Sequence, residues 1–232
     1  MEIARAAAAL FVQQGLRATR AEDIAQAAGI APRTFYRYFA TKEEAVAPLY
    51  AAGAQRWIEA VRTAPADLSV PQALEHAIRH TLTPGLGVSA ASWEWLRTLI
   101  RLADTSPALR KVWAEVCQAS EGALSEILSA REEAPAENAP VESTPGEPTP
   151  AEPAPAEPAS AEPTPAELTP HLRFAAAVAG AAVRVAVESW AATTTRPTGP
   201  EGPAALAVRN LRALRDFEWS TPENTREREP RE

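Results

Sequence analysis

The sequence predicts an all-α protein: three compact helices at the N-terminus, then a helical bundle interrupted by a Pro/Glu-rich insertion. Three observations predict it. Gly is scarce, 10 of 232 residues, while 46% of the chain is hydrophobic. Apolar residues recur at spacings of three and four, and period-two alternation of β-branched residues is absent. Gly, Pro, Ser and Thr clusters punctuate the chain into helical stretches at about 2–14, 20–28, 32–38, 42–62, 70–82, 89–103, 106–131, 170–193 and 201–218.

The first helix offers Leu10 and Phe11 as core residues. The second opens with Thr19-Arg20-Ala21-Glu22, a capping box in which the Thr hydroxyl and the Glu carboxylate satisfy orphan amides. Ile24, Ala25 and Ala28 give it a small apolar face, and Gly29 stops it as an αL residue. Pro32 then stands in the first turn of a short third helix. Helix, Gly-containing turn and second helix make a helix-turn-helix. On the third helix Phe35 and Phe39 lie at i and i+4 and are expected to pack inward against Leu10, Phe11 and Ile24. Arg33, Thr34, Tyr36, Arg37 and Tyr38 cover its other faces, supplying the donors and aromatic tips of a groove-reading helix. Arg33 and Arg37, like charges one turn apart, repel each other in an isolated helix, and phosphates relieve that repulsion. Ala31 provides no side-chain cap, which weakens the third helix by ~1 kcal/mol.

The fourth helix starts with a second capping box, Thr41-Lys42-Glu43-Glu44, and its apolar stripe runs Ala45, Val46, Leu49, Gly53, Trp57, Val61. Pro48 in its second turn predicts a kink. Leu74, Ile78 and Leu82 mark the fifth helix; Trp93, Leu96, Leu99, Ile100 and Ala103 the sixth; Trp113, Val116, Cys117, Leu124 and Leu128 the seventh. His76 and His80 face one way, but the sequence supplies no third ligand beside them, so they read as a surface pair and no metal site is expected. On the eighth helix Leu172, Ala176, Ala179, Val183, Ala186 and Trp190 step by 4,3,4,3,4, a coiled-coil-like seam. Phe174, Val178, Ala181 and Val185 form a second apolar face, so this helix must be buried on two sides. Ala207, Val208, Leu211, Leu214 and Phe217 mark the ninth.

Charge has to be read by segment. The formal net charge is −7, yet residues 132–170 hold nine Glu, eleven of the 22 Pro and no basic residue, which leaves the rest at +2. The acidic total therefore does not oppose a nucleic-acid partner. With only Val141 and Leu168 as sizeable aliphatics, residues 132–169 are expected to form a disordered, extended linker of polyproline II character. A single cysteine excludes an intramolecular disulfide framework and fits a reducing cytosol. The longest apolar run, about ten residues fenced by Arg173 and Arg184, falls short of the roughly twenty that a membrane span needs, so none is expected. No acid/base pair, activated nucleophile or phosphate loop points to catalysis, and no cofactor is implied.

Residues 3–47 resemble the N-terminal domain of the TetR family of bacterial transcriptional regulators. The pattern is Ile3, Ala6-Ala7, Leu10-Phe11, Gly15, Thr19, Asp23-Ile24-Ala25, Ala28-Gly29-Ile30, Arg33-Thr34-Phe35-Tyr36-Arg37-Tyr38-Phe39 and Lys42-Glu43. The resemblance implies that Pro32, Arg33, Thr34 and Arg37 touch base edges. It places Tyr36, Tyr38 and Lys42 on phosphates, with help from Arg20. It also implies a basic arm ahead of the first helix, where this chain starts almost inside the helix, so either backbone affinity is weaker or the true start lies upstream of Met1. A small-molecule pocket is implied inside the bundle, for which Trp93, Trp113, Cys117 and Phe174 are candidates. The last two long helices are implied to pair with their twins in a dimer, for which the candidates are Leu172, Ala176, Ala179, Val183, Ala186, Trp190, Leu211 and Leu214.

The expected organisation is a DNA-binding domain at 1–47, a ligand-binding and dimerisation domain at 48–219 interrupted by the linker 132–169, and a disordered tail at 220–232. The expected protein is cytoplasmic: a homodimeric repressor on a pseudo-palindromic operator, released by a small-molecule effector. The alternative is a helical small-molecule-binding protein or adaptor with a vestigial helix-turn-helix.

Overall fold

The computed structural model describes residues 1–85, 90–137, 170–217 and 219, and helices are the regular elements among them. They are α1 (Glu2–Gln14), α2 (Ala21–Ala27), α3 (Pro32–Tyr38), α4 (Ala47–Arg62), α5 (Val70–Leu82), α6 (Ala90–Thr105), α7 (Pro107–Glu137), α8 (Pro170–Ala191) and α9 (Pro203–Ala213). The all-α reading holds. Residues 138–169 of the expected linker, and the tail 220–232, lie outside the described residues. The linker's first residues, 132–137, instead continue α7. The Ala/Arg/Glu run that precedes Pro135 favours helix, so composition alone placed the boundary too early.

Local chemistry accounts for the compact N-terminus. α2 is capped differently from the expected box: the Arg20 backbone N–H donates to Asp23 Oδ2 at 2.8 Å. The Thr19 hydroxyl turns back to donate to the Gly15 carbonyl at 2.9 Å. Asp23, rather than Glu22, stands three residues after the cap, where a carboxylate reaches back to it. Gly29 adopts φ +67°, with Ile30 N–H on the Ala25 carbonyl (2.9 Å) and Gly29 N–H on the Gln26 carbonyl (3.0 Å). That pair of bonds is a Schellman stop, as Gly29 predicts. Phe35 is fully buried in one cluster with Phe11 and Ile24, and Phe39 and Leu10 pack partly buried against it.

Pro48 does not kink a helix. Residues Glu44–Val46 form a 3₁₀ turn and α4 begins at Ala47, so Pro48 occupies its first turn, where a missing N–H costs no helical bond. The expected box survives in altered form, with Glu44 N–H on the Thr41 hydroxyl (3.3 Å) and Ala40 N–H on Glu44 Oε2 (2.9 Å).

The N-terminal core does not stop at residue 47. Its cluster also takes in Tyr50 and, from α6 and α7, Leu99, Ala103, Leu109 and Val112, and the Tyr50 hydroxyl donates to the Leu99 carbonyl at 3.1 Å. The main core joins α4, α5, α7, α8 and α9 around Trp57, Leu74, Ile78, Leu124, Leu128 and Ala179. Arginines close the helix ends. Arg131 donates to the carbonyls of Ala64, Pro65 and Leu68 just past α4. Arg101 donates to the carbonyls of Ala191 (2.5 Å) and Thr193 (2.6 Å) at the end of α8. Beside it Arg97, itself buried, reaches the Thr195 carbonyl and lies 4.3 Å over the Trp190 ring. Cations at C-terminal carbonyls satisfy orphan acceptors and complement the helix dipole.

α8 corrects the sequence reading. The seam residues Leu172, Ala176, Ala179, Ala186 and Trp190 are buried within the protomer and Val183 is half-buried against the same core. Leu211 is buried with them, and α9 ends at Ala213, which leaves half-buried Leu214 beyond the helix. The outward face carries Phe174, 59% exposed, and Val185, 44% exposed. Gly180, beside the seam, lets α7 approach: a Cβ there would stand 3.1 Å from Glu121 Cγ. α8 is also long and apolar enough by composition to cross a membrane, with mean hydropathy 1.3. Here it packs on α6, α7 and α9.

Candidate nucleic-acid interface

α2 and α3 present one continuous face. With Phe35 turned inward, helical geometry sends Pro32, Arg33, Tyr36, Arg37 and Tyr38 to solvent, and all five are exposed; Thr34 is half-exposed. Tyr36 and Tyr38 stand 52% and 62% exposed, far more than packing explains. Neighbours preset several of these groups. The Tyr36 hydroxyl donates to Glu22 Oε1 at 3.3 Å, and Arg20 Nε lies 3.4 Å from Glu22 Oε2. Arg37 sits over the Tyr38 ring at 5.0 Å and donates to its hydroxyl at 3.3 Å. Glu22 as the link between Arg20 and Tyr36 was not legible in the sequence, because it joins side chains 14 residues apart across the turn. Asp23 as the capping carboxylate was missed, because Thr19-x-x-Glu22 offers the same local signal one residue earlier.

Lys42 is placed differently from these groups. It is half-buried, and its Nζ donates to the Leu16 and Thr19 carbonyls, each at 2.7 Å.

The four pocket candidates do not converge. Trp93 is buried edge-on to Trp190, ring centroids 5.4 Å apart. Trp113 donates from Nε1 to Glu188 Oε1 at 2.7 Å, and its ring meets Tyr50. Burial pushes the Cys117 thiol up to about 12, against the opposing pull of Arg184, so it is an inert thiol at neutral pH. Phe174 lies on the outer surface against Phe217. A groove of about 430 Å³ runs between α5 and α9 beside Arg79, Pro84, Pro197, Val208, Arg209 and Arg212. Another of about 440 Å³ lies at Arg62, Glu126, Ile127 and Arg131. None of the four candidates lines either. His76 and His80 are both exposed on α5, and the described residues contain no group of three or more side chains suited to a metal.

A buried hydrophobic spine under an exposed arginine- and tyrosine-bearing second helix, fused to a helical bundle, defines the class: a helix-turn-helix protein. The family model described as bacterial regulatory proteins, tetR family, matches residues 3–47. The chain is 32% identical over 136 residues to the HTH-type transcriptional regulator TcmR of Streptomyces glaucescens, covering 56% of this chain and 59% of that relative. It is 51% identical over 45 residues to the HTH-type transcriptional repressor KstR2 of Mycobacterium tuberculosis, covering 19% and 22%. The matched segments thus span less than two thirds of either relative. Among solved structures, Thermus thermophilus FadR, a TetR family transcriptional repressor in complex with lauroyl-CoA, shares the fold at TM-score 0.51 and 21% identity, over 92% of this chain and 91% of that one. Residues 3–47 thus form a segment similar to the N-terminal domain of TetR-family regulators.

Proposed function

We propose that the protein is a sequence-specific DNA-binding regulator of transcription, acting as a homodimeric repressor on a pseudo-palindromic operator in the cytoplasm. The observation that carries this is the orientation of α3: Phe35 is fully buried, while Arg33, Tyr36, Arg37 and Tyr38 stand in solvent on one short helix. In this reading Pro32, Arg33, Thr34 and Arg37 meet base edges, and Arg20, Tyr36 and Tyr38 meet phosphates. A dimer would place the two copies of α3 in major grooves about 34–36 Å apart or a multiple of that spacing. The dimer contact is assigned to the outer face of α8, around Phe174 and Val185. The exposure of Phe174 and Val185 supports that assignment, whereas the original seam is occupied inside the protomer.

Release by a small apolar effector completes the proposal. The lauroyl-CoA bound to FadR, an apolar acyl chain on a polar carrier, supports release by a small-molecule effector. Its place is assigned between α6 and α8, where Trp93 Nε1 and Arg97 Nε are buried donors without a hydrogen-bond partner, both on residues that touch Trp190. Buried orphan donors ask for an acceptor. The activity is binding rather than catalysis.

The test is selection from a random-duplex pool followed by competitive gel shift. A preferred palindromic sequence is expected. Arg33→Ala is expected to relax preference at one base pair per half-site by ~1–3 kcal/mol. Binding without any sequence preference refutes the proposal and leaves the carrier or adaptor alternative.

A further inference from the structure

We propose that Lys42 is a positioning residue of the DNA reader: its ammonium fastens the segment leading into α4 to the turn between α1 and α2, and it does not grip phosphate. The proposal rests on the DNA-binding reading above. Lys42 Nζ donates to the carbonyls of Leu16 and Thr19, each at 2.7 Å. Those residues lie 26 and 23 positions upstream, so the bonds are tertiary. An ammonium has three donors, and two are spent here in charge-assisted bonds. One donor remains, but a move of the ammonium out to a phosphate would break both bonds and strand two carbonyls in a half-buried place.

The held turn seats the reader. Gly15 takes φ +84°, the buried Thr19 hydroxyl donates to its carbonyl, and Gln14 Nε2 donates to that hydroxyl at 3.2 Å. The next residue, Arg20, caps α2. On the other side, the Lys42 carbonyl accepts from Ala45 N–H at 3.3 Å, in the 3₁₀ turn whose Ala45 and Val46 are fully buried in the cluster of Ile24 and Phe35. Lys42 therefore ties the start of α4 to the start of α2 across the core on which α3 rests. Arg20, Arg33 and Arg37, by contrast, are all exposed.

The experiment compares the parent, Lys42→Met and Lys42→Arg at a temperature where circular dichroism shows each folded. Affinity for the selected operator and for a random duplex is measured against salt. Lys42→Met is expected to lose tenfold or more in operator affinity, with the salt slope and random-duplex affinity unchanged. Lys42→Arg, whose guanidinium also donates to two carbonyls, is expected to recover most of the loss. A Met variant that weakens both duplexes alike and lowers the slope by about one marks a phosphate contact and overturns the proposal. A Met variant that binds like the parent overturns it too. Should Lys42→Met fail to fold, the parent itself decides: a hydrogen-bond coupling between the Lys42 ammonium nitrogen and DNA phosphorus in the operator complex overturns the proposal, and its absence is expected. A parent that prefers no sequence overturns the DNA-binding reading instead.

Discussion

Replacing Phe174 by Glu is expected to yield a folded monomer. Phe174 is 59% exposed on the outer face of α8, with Val185 at 44% further along it. Taking ~200 Å² for a phenylalanine side chain, about 120 Å² of apolar surface awaits cover, worth ~3 kcal/mol at about 25 cal/mol per Å². A two-fold interface counts the ring twice, for ~6 kcal/mol gross, and two facing carboxylates add repulsion. Since association costs absorb part of any area-based figure, a rise in the dimer dissociation constant of at least ~100-fold is the expected floor. Sedimentation velocity across nanomolar to micromolar protein measures it, with circular dichroism as the check on folding. The paired control is Ala179→Glu. Ala179 is fully buried in the protomer core, so an unpartnered carboxylate there is expected to destabilise the fold by several kcal/mol. An unchanged dimer constant for Phe174→Glu, or a well-folded monomer from Ala179→Glu, refutes the assignment of the two faces.

Two further outcomes follow from the ionisable groups. With its thiol pushed up to about 12, Cys117 is expected to react with an alkylating agent at pH 8 roughly 100- to 1,000-fold more slowly in the native protein than in urea; equal rates, read by mass spectrometry, contradict the burial argument. Hydrogen bonds from Arg212, and then Arg79, hold the Glu75 carboxyl below the usual range against the opposing effect of burial. A depressed folded value means that this pairing stabilises the fold above about pH 4.3 and is lost as pH falls through the folded pKa. Glu75→Gln is expected to cost less than ~1 kcal/mol at pH 7, because Arg212 is largely solvent-screened, and to flatten the acid limb of thermal stability. Parallel pH profiles for variant and parent exclude that contribution.

The orientation of α3 was legible because its determinants are local. Gly29 stops α2, Pro32 starts α3, and the four-residue spacing of Phe35 and Phe39 decides which way the arginines point. The errors share a cause as well. Thr19-x-x-Glu22 and Arg20-x-x-Asp23 are overlapping patterns, and only the conformation around residue 20 selects Asp23. Pro48 read as a mid-helix break because sequence pattern does not separate a 3₁₀ turn from the first turn of an α-helix.

By itself, the sequence determined the all-α class, the helix-turn-helix and the composition of every helix, because capping, helical spacing and the scarcity of glycine act over a few residues. The tertiary structure decided which of α8's two apolar faces turns inward, since spacing alone is satisfied by either and only the shapes of α7 and α9 break the tie. It also decided where long cations end. Lys42, Arg101 and Arg131 find carbonyls 23 to 92 residues away, acceptors that come within reach only when the helices pack.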